Sequence, residues 1–579
     1  MAEYKFINPY NFIPLGNNCR KTPYQKGTYT GYIECVLETK TPLIMIDSSS
    51  NKEIKLEGGD IHVSYPKTFM IGNQPAIPGS ELRGMIRNVF ETVTQSCLVN
   101  TDPKIKFSGR YVGNMFQPGL LVYKNGQCSL YKCDKYSVEN PYVINDLKKY
   151  KAGDLIRFND GVNRKKSKIV KSIGSGKLEG YLRKGEPLGN KIFHHIFVNT
   201  GEKVETGDID LTALYQEACD KYYENLERKH VNQCDGDYRP VWYEQVQERV
   251  YLSLGQNGQT NFYRQFGKMY PENFDGCKDE NNVCETCQVF GTINEKFVLP
   301  SLVRFTDALL DNQQTSYYMF EKPITLEELS SPKSDNPYFY MLLKENGELV
   351  DYSTNFLWNV DFKSKFSKKM ITQLLKDDEV QIRGRKFYWH FQPKLNQKVR
   401  KTKRNVSVKP LKTGLKYNFK VYFNDLTQEQ LEHLNMSLCL DNNSNYCHKL
   451  GMGKPLGFGS VKIKTTNIVC RNIHVDNSIH YEVKPYQCTM TSIDDLLKDM
   501  NDAQYYAFIS LFDFDYIKLN NVSYPRNEED GDIFEWFESN KKSREKKVLP
   551  FAEKEYDDLI QKGYVSRKNA PKNNYRNKR

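Results

Sequence analysis

Three cysteines in the middle of the chain are spaced as metal ligands. Cys277, Cys284 and Cys287 combine a C-x6-C gap with a C-x2-C pair. Thiolates suit Zn²⁺ in tetrahedral coordination, and a C-x2-C pair lets two sulfurs close on one ion. Because a structural site needs four ligands, His230 and Cys234 are candidates for the fourth. The spacing favours a structural zinc site, with buried reduced thiols as the alternative.

A candidate anion site lies where a helix is predicted to begin, at residues 77–87. A Pro-Gly turn precedes Ser80, which is placed to cap the helix. Arg83 and Arg87 are four residues apart and therefore share one helix face. Free amides, the positive dipole end and two guanidiniums would suit a polyphosphate backbone. A capped amphipathic helix with solvated arginines is the alternative.

A glycine-rich loop near the other end of the chain could bring backbone close to a ligand. It contains Gly451, Gly453, Gly457 and Gly459, and Lys454 supplies a positive charge. The loop leads into a predicted strand and not into a helix. This order excludes a P-loop and a dinucleotide-binding fingerprint.

Taken together, these stretches resemble the RAMP superfamily of CRISPR-associated proteins, and more narrowly the backbone subunits of type III effector complexes. The family has an I-P-G-S-x-L-[KR]-G helix start and a late G-x-G-x-x-x-G-[FY]-G loop before its last strand. Between them, residues 284–291 resemble its C-x-x-C-x-[LV]-F-G segment, and residues 304–308 resemble its R-[VF]-x-[FT]-D-A strand. Relatives also keep a similar cysteine cluster.

The resemblance implies a candidate for RNA cleavage. In the family, the loop between the first strand and the central helix carries an aspartate needed to cleave target RNA. Asp60, which follows two glycines, is the best match by position, and Asp47 is the second. A carboxylate there could hold Mg²⁺, and His62 could shuttle a proton. A solvated turn aspartate is the alternative.

Cations alternate with aromatic residues in residues 381–390, QIRGRKFYWH. Arg383, Arg385 and Lys386 belong to this segment, and more lysines and arginines follow it as far as residue 404. This composition is typical of single-stranded nucleic-acid binding, in which charges track phosphates and rings stack on bases. A solvated basic hairpin is the alternative.

The composition sets limits on the kind of protein. The chain has 579 residues and a formal net charge of +12, which suggests an anionic partner. Fourteen cysteines in this length do not make a disulfide scaffold, and no apolar run reaches membrane-spanning length. We therefore expect an intracellular, cytoplasmic protein with reduced thiols and no membrane partner.

The order of predicted elements indicates an α+β protein. Strand, central helix, strand, strand, helix and strand are the pattern of a ferredoxin-like core, as in RNA-recognition motifs, here with large insertions and a C-terminal extension. Whether there are one or two such cores is left open. We expect six segments. They are the first part of the core (1–100), a β-rich basic module (101–236), the cysteine cluster with a core strand (237–310), a second insertion (311–410), the last part of the core (411–480) and a basic extension (481–579).

The expected function is that of a guide-RNA-binding backbone subunit of a type III CRISPR ribonucleoprotein in antiviral defence. Its partners would be guide RNA, complementary target RNA and other CRISPR-associated subunits. Three classes remain open: a purely structural RNA-binding subunit, a metal-dependent endoribonuclease on target RNA, and a metal-independent guide-processing endoribonuclease that uses a histidine such as His62.

Overall fold

The fold is described from a computed structural model of the whole chain. The residues that it describes are 8–110, 116–185, 194–223, 234–246, 249–256, 259–294, 297–311, 316–329, 340–342, 344–345, 348–349, 381–395, 399–442, 444–475, 479–514, 522–526, 533, 535–536 and 539. They form a mixed α and β structure with two large sheets. Among these residues, no helix is both long and apolar enough to cross a membrane.

The first large sheet, which we call the central sheet, is antiparallel and combines long and short strands. We call its main strands the first (Tyr29–Thr39), second (Val303–Phe305 and Ala308–Leu310), third (Lys416–Leu426) and fourth (Ser460–Val475) core strands. Their spatial order is fourth, first, third, second, and each neighbouring pair is antiparallel. Further strands extend the sheet on both sides: Met70–Ile71, Gln74–Ile77, His448–Lys449 and Ile479–Pro485.

Two helices cover one face of this sheet. The central helix, Gly79–Val93, follows the first core strand, and the second core helix, Gln428–Cys439, follows the third. Leu82, Ile86 and Phe90 of the central helix are fully buried at helical spacing. The first core strand alternates buried and partly exposed residues, as a strand covered on one side does. The main hydrophobic core therefore lies between the sheet and these helices.

A second, eight-stranded sheet is built from the middle of the sequence. The long helix Leu211–Tyr223 packs against it around the buried ring of Tyr215. Two of its strands follow residue 236, the predicted end of the basic module. The first of them pairs with Gln117–Lys124 and the second pairs with the first, so the sheet continues past that residue. Its strands are Gln117–Lys124, Gln127–Val138, Leu155–Val162, Lys168–Ile173, Leu178–Arg183, His194–Lys203, Tyr238–Val246 and Arg249–Ser253.

The other strands form smaller sheets and pairs. Four short strands form another sheet: Lys52–Lys55, Ile61–Tyr65, Ile324–Thr325 and Val406–Val408. The paired strands are Tyr10–Ile13 with Arg385–Tyr388, Lys21–Thr22 with Val283–Cys284, Lys106–Arg110 with Gln259–Gln265, Thr292–Ile293 with Val298–Leu299, Met341–Leu342 with Gln381–Ile382, and Lys344–Glu345 with Glu348–Leu349. The other α-helices in the described part of the chain are Pro141–Asp146, Glu285–Phe290, Ile493–Leu496 and Asp502–Phe512.

Candidate nucleic-acid interface and metal centre

Four cysteine sulfurs meet in one buried cluster, which we call the cysteine cluster: Cys97, Cys277, Cys284 and Cys287. Their ligand atoms all lie within 4.8 Å of one another, and Cys97 Sγ is 3.5, 3.6 and 3.9 Å from the other three. Tetrahedral zinc with Zn–S bonds of about 2.3 Å places its sulfurs about 3.8 Å apart. The cluster is therefore compatible with a bound zinc ion.

The fourth sulfur belongs to Cys97, which the sequence did not single out. Cys97 follows the central helix and lies 180 residues before Cys277, so no spacing motif links them. Cys234 is not the fourth ligand, since it is buried against Tyr215, whose hydroxyl donates to the Cys234 carbonyl at 3.1 Å. His230 lies outside the described residues.

The short helix that carries Cys287 is fixed to the core. Its first residue, Glu285, accepts a hydrogen bond from His433 of the second core helix at 2.7 Å. Burial alone would lower the pKa of His433, but the hydrogen bond and charge of Glu285 raise it above its usual value. Hydrogen bonds from Cys19, which lies outside the cluster, and from the three other thiols of the cluster hold the pKa of Cys284 well below that of a free thiol. A cationic metal would favour the same deprotonated form.

The start of the central helix is capped by the protein itself. Gly79 donates its amide to the carboxylate of Asp307 at 2.7 Å, and Asp307 comes from the loop of the second core strand. A Cβ atom at Gly79 would lie 2.5 Å from the Phe305 carbonyl oxygen, so this close approach requires glycine. The prediction that Ser80 caps the helix is wrong, because Pro78 is the capping residue and Ser80 lies inside the first turn.

Arg83 makes contacts within the protein. Its Nη2 donates to the Phe290 carbonyl at 2.5 Å, at the end of the helix that carries Cys287. Its guanidinium lies 5.6 Å from the Phe290 ring centroid, and burial lowers its pKa. Arg83 thus places a positive charge at the C-terminal end of the helix Glu285–Phe290, which carries Cys287 and which we call the cysteine helix. That Arg83 contacts phosphate stays a prediction.

Two other predicted RNA-binding arginines share a buried carboxylate. Glu91 accepts from Arg87 Nε and from Arg385 Nη1, each at 2.9 Å. Arg385 also donates to the carbonyls of Ser96 and Cys97. The Arg385 side chain is only 6% exposed, so the prediction that it contacts phosphate is wrong in this structure. Arg383, at 3% exposure, is buried as well and offers no surface for RNA.

A cavity of about 290 Å³ brings together residues from three predicted RNA-binding segments. We call it the lysine cavity. Ser80 reaches it from the central helix, Lys386 from the cationic and aromatic segment, and Lys454 from the glycine loop. Lys449 also lines it, and Glu81 is the carboxylate among its described lining residues. The cavity therefore carries an excess of positive charge.

Burial disfavours the charged form of the lysines that line the lysine cavity. Desolvation lowers the pKa of Lys386 to about 8 and that of Lys449 to about 7, and it also lowers the pKa of Lys454. An anion in the cavity would restore the charged form of each ammonium. His448 also lines the cavity, and its Nδ1 is buried without a hydrogen-bond partner among the described residues. Its Nε2 donates to the Leu438 carbonyl, so Nδ1 is left as an acceptor.

The glycines of the late loop serve its own packing. Gly451, Gly453, Gly457 and Gly459 all have positive φ values. A Cβ atom at Gly459 would lie 1.9 Å from the Leu450 carbonyl oxygen, and one at Gly451 would lie 2.4 Å from that of Ile44. Lys449 Nζ donates to the carbonyls at 457 and 458, at 3.2 Å each. The glycines thus fold the loop so that Lys454 lines the cavity.

The three candidate catalytic residues occupy different environments. Asp60 is exposed at a hairpin turn, where its carboxylate lies 3.2 Å from Lys403 Nζ. Asp47 accepts from the amide and hydroxyl of Ser49, and the hydroxyl bond lowers the pKa of Asp47. His62 is fully buried, with Nδ1 2.9 Å from the Thr402 carbonyl and Nε2 2.8 Å from the Ser407 hydroxyl. The prediction that His62 shuttles protons is therefore wrong, since both ring nitrogens are occupied away from solvent.

Comparison with known proteins supports the resemblance that the motifs indicate. The family model described as "RAMP superfamily" matches residues 36–228, which confirms the resemblance over that part of the chain. No curated protein matches the chain.

Two solved structures are similar at low scores. A chain titled "Type IV-B CRISPR Complex" is 9% identical with a TM-score of 0.22, and the match covers 81% of this chain and 100% of that chain. A chain titled "Crystal structure of Thermofilum pendens Csc2" is 10% identical with a TM-score of 0.19, over 92% of this chain and 89% of that chain. Scores this low do not establish a shared fold.

Proposed function

We propose that this chain is an RNA-binding subunit of a CRISPR ribonucleoprotein effector complex in antiviral defence, of the type III backbone kind. It would hold guide RNA and contact complementary target RNA and neighbouring CRISPR-associated subunits. The observation that carries the proposal is the lysine cavity, because three separate RNA-binding segments predicted from the sequence contribute Ser80, Lys386 and Lys454 to it. Phosphate groups are the anions that repeat along such a partner.

The strand order supports a ferredoxin-like core as the scaffold of this function. In chain order the elements run strand, helix, strand, strand, helix, strand, and the four core strands lie side by side in the order fourth, first, third, second. This order is the one expected of the split β-α-β arrangement of RNA-recognition motifs, and it supports that assignment. The eight-stranded sheet would then be a module inserted between the central helix and the second core strand.

Cleavage of target RNA is a second candidate, and the exposure of Asp60 favours it over a structural role alone. Gly58 and Gly59 precede Asp60, both have positive φ values, and a Cβ atom at either would meet no atom within 4 Å. RNA backbone can therefore approach this carboxylate closely, and a divalent ion held there would help the leaving oxygen. Each carboxylate already has a partner, Lys403 for Asp60 and Ser49 for Asp47, so the preference for Asp60 rests on the two glycines that precede it. A guide-processing role for His62 loses its support.

The cysteine cluster would hold a structural Zn²⁺ ion. All four thiols are buried, as in sites that stabilise a fold and do not expose an open coordination position. The cluster joins the end of the central helix to the cysteine helix. We infer that the ion stabilises the packing behind the lysine cavity and takes no part in RNA chemistry.

Photo-crosslinking tests the RNA-binding proposal. The purified chain would be bound to single-stranded RNA that contains 4-thiouridine, irradiated, and analysed by peptide mass spectrometry. Cross-links should fall in the peptides that contain Lys386 and Lys454, and Lys386→Ala together with Lys454→Ala should abolish them. Cross-links confined to other peptides, or no RNA binding by the parent chain, would contradict the proposal.

The cleavage candidate needs a separate assay. A complex assembled with guide RNA would be mixed with complementary RNA in Mg²⁺. Asp60→Ala should stop cutting while Asp47→Ala should not. Cutting that survives Asp60→Ala but is lost in Asp47→Ala would assign the activity to the other aspartate. If the parent complex does not cut target RNA, the cleavage candidate fails and the structural RNA-binding role is the one that remains.

A further inference from the structure

The face of the central sheet that lies opposite the two core helices carries a pair of tyrosines. Tyr32 of the first core strand and Tyr422 of the third lie directly opposite each other in the strand register. Their ring centroids are 5.9 Å apart and their planes are inclined by 56°, so the rings do not stack on one another. Both side chains are partly exposed. Each ring therefore keeps an apolar surface near solvent.

One cation lies against each of the two rings. Arg304 of the second core strand lies beside Tyr422 in the register, with its guanidinium 5.9 Å from the ring centroid. Lys420 Nζ lies 4.6 Å from the Tyr32 centroid and 2.8 Å from the Glu34 carboxylate. Because alternate residues of a strand share a face, further polar and charged side chains extend this surface. These are Lys416, Asn418, Lys464, Asn467 and Glu38.

This combination fits single-stranded RNA better than it fits a protein partner. Bases can stack on tyrosine rings of adjacent strands, amide side chains can bind base edges, and cations can follow the phosphates. The outward cations Arg304, Lys416, Lys420 and Lys464 outnumber the carboxylates of Glu34 and Glu38. The buried centre of a protein interface is usually depleted of charged residues, whereas charges flank both rings here.

We propose that this surface, which we call the tyrosine face and define by Tyr32, Tyr422, Arg304 and Lys420, binds single-stranded RNA by base stacking. The proposal rests on the proposed RNA-binding function and adds a second contact surface to it. The central helix packs on the opposite face of the sheet, and its start lines the lysine cavity. One surface would therefore hold bases and the other would hold phosphate.

Affinity measurements separate the two surfaces. The full chain would be titrated against a short, unstructured, fluorescein-labelled single-stranded RNA and followed by anisotropy. Tyr32→Ala and Tyr422→Ala should each weaken binding by about five-fold or more, the effect of losing one stacked base. Tyr32→Phe and Tyr422→Phe should keep the affinity of the parent, because phenylalanine also stacks. Tyr142→Ala is the matched control, since Tyr142 is 83% exposed on a helix of the eight-stranded sheet region.

The salt dependence distinguishes the possible failures. Loss of stacking should leave the slope of log affinity against log salt unchanged, because no ion pair with phosphate is removed. In one outcome the parent binds RNA, Lys386→Ala flattens this slope, and Tyr32→Ala and Tyr422→Ala keep full affinity. That outcome refutes RNA binding by the tyrosine face and leaves the proposal for the lysine cavity intact. If the parent binds no RNA, both proposals fail. If the phenylalanine variants lose as much affinity as the alanine variants, stacking is refuted.

Discussion

Arg385 and Lys386 are neighbours in the sequence, and the structure predicts opposite consequences of replacing them. Arg385 is 6% exposed and binds Glu91 together with the carbonyls of Ser96 and Cys97. Lys386 lines the lysine cavity and lies over the Tyr10 ring, with Nζ 3.8 Å from its centroid. Arg385→Met should therefore destabilise the fold strongly without changing RNA contacts, whereas Lys386→Met should change RNA contacts with a smaller effect on the fold.

The expected size of the first effect follows from the contacts of Arg385. Removing one partner of a buried ion pair costs about 3–5 kcal/mol, because the other charge stays buried without compensation. Here Arg87 still binds Glu91 at 2.9 Å, which reduces that cost. The carbonyls of Ser96 and Cys97 lose a charged donor, which adds about 1–3 kcal/mol. We therefore expect Arg385→Met to lower the free energy of unfolding by about 3–5 kcal/mol.

The size of the second effect follows from charge and burial. Burial lowers the pKa of Lys386 to about 8, and its ammonium lies against the Tyr10 ring, so an apolar side chain of similar length keeps most of the packing and loses the cation–π contact. Lys386→Met should lower the free energy of unfolding by about 2 kcal/mol or less, the size of one desolvated cation–π contact. It should flatten the slope of log affinity for single-stranded RNA against log salt by about 0.7, the value for one phosphate contact.

Two assays on the same samples test this contrast. Urea unfolding would be followed by tryptophan fluorescence, which reports on the fully buried Trp389 four residues from Arg385. RNA affinity would be measured over a range of salt concentrations at a urea-free condition where both variants are folded. An Arg385→Met variant that is as stable as the parent, or that flattens the salt slope, would refute the structural role assigned to Arg385.

Three further predictions concern metal and pH. Protein purified without chelators should contain zinc by elemental analysis; Cys97→Ser should lose it, whereas Cys19→Ser should retain it because Cys19 is not one of the four clustered sulfurs. RNA affinity should fall as pH rises from about 7 to about 9, because phosphate binds the protonated forms of Lys449 and Lys386, whose pKa values without RNA are about 7 and about 8. An affinity that does not change with pH would contradict this. The stability from His433 and Glu285 is fully present below the unfolded imidazole pKa of about 6.5 and is lost as pH rises through the higher folded value. His433→Gln should remove that pH dependence from urea unfolding, and a variant with the parent's pH profile would exclude the pair as its source.

Local patterns in the sequence predict the parts of the fold that depend on neighbouring residues. The strand Tyr29–Thr39 follows from its alternation, and the central helix follows from the spacing of Leu82, Ile86 and Phe90. The glycine loop leads into a strand at Ser460, as its sequence indicates. In each case the signal lies within a few residues of the element that it specifies.

The corrections come from contacts between distant parts of the chain. Asp307 accepts from the Gly79 amide at the start of the central helix, across 228 residues, and no pattern near Ser80 indicates this contact. Cys97 completes the cysteine cluster across 180 residues. Arg385 resembles an RNA-binding residue because its neighbours are cationic and aromatic, but Glu91 on another element neutralises it. Sequence shows which cations are present, and only the fold shows which of them are already paired.

The salt dependence of RNA binding by the double variant Lys386→Ala and Lys454→Ala tests the central claim most directly. Lys148→Ala, at an exposed position on the 3-10 helix Leu147–Lys149, is the control for loss of general positive charge. If the lysine cavity holds phosphate, the slope of log affinity against log salt should flatten by about 1.4 in the double variant, which is about 0.7 for each lost contact. The control should keep the slope of the parent. A double variant with the parent's slope would contradict the assignment of the lysine cavity to RNA.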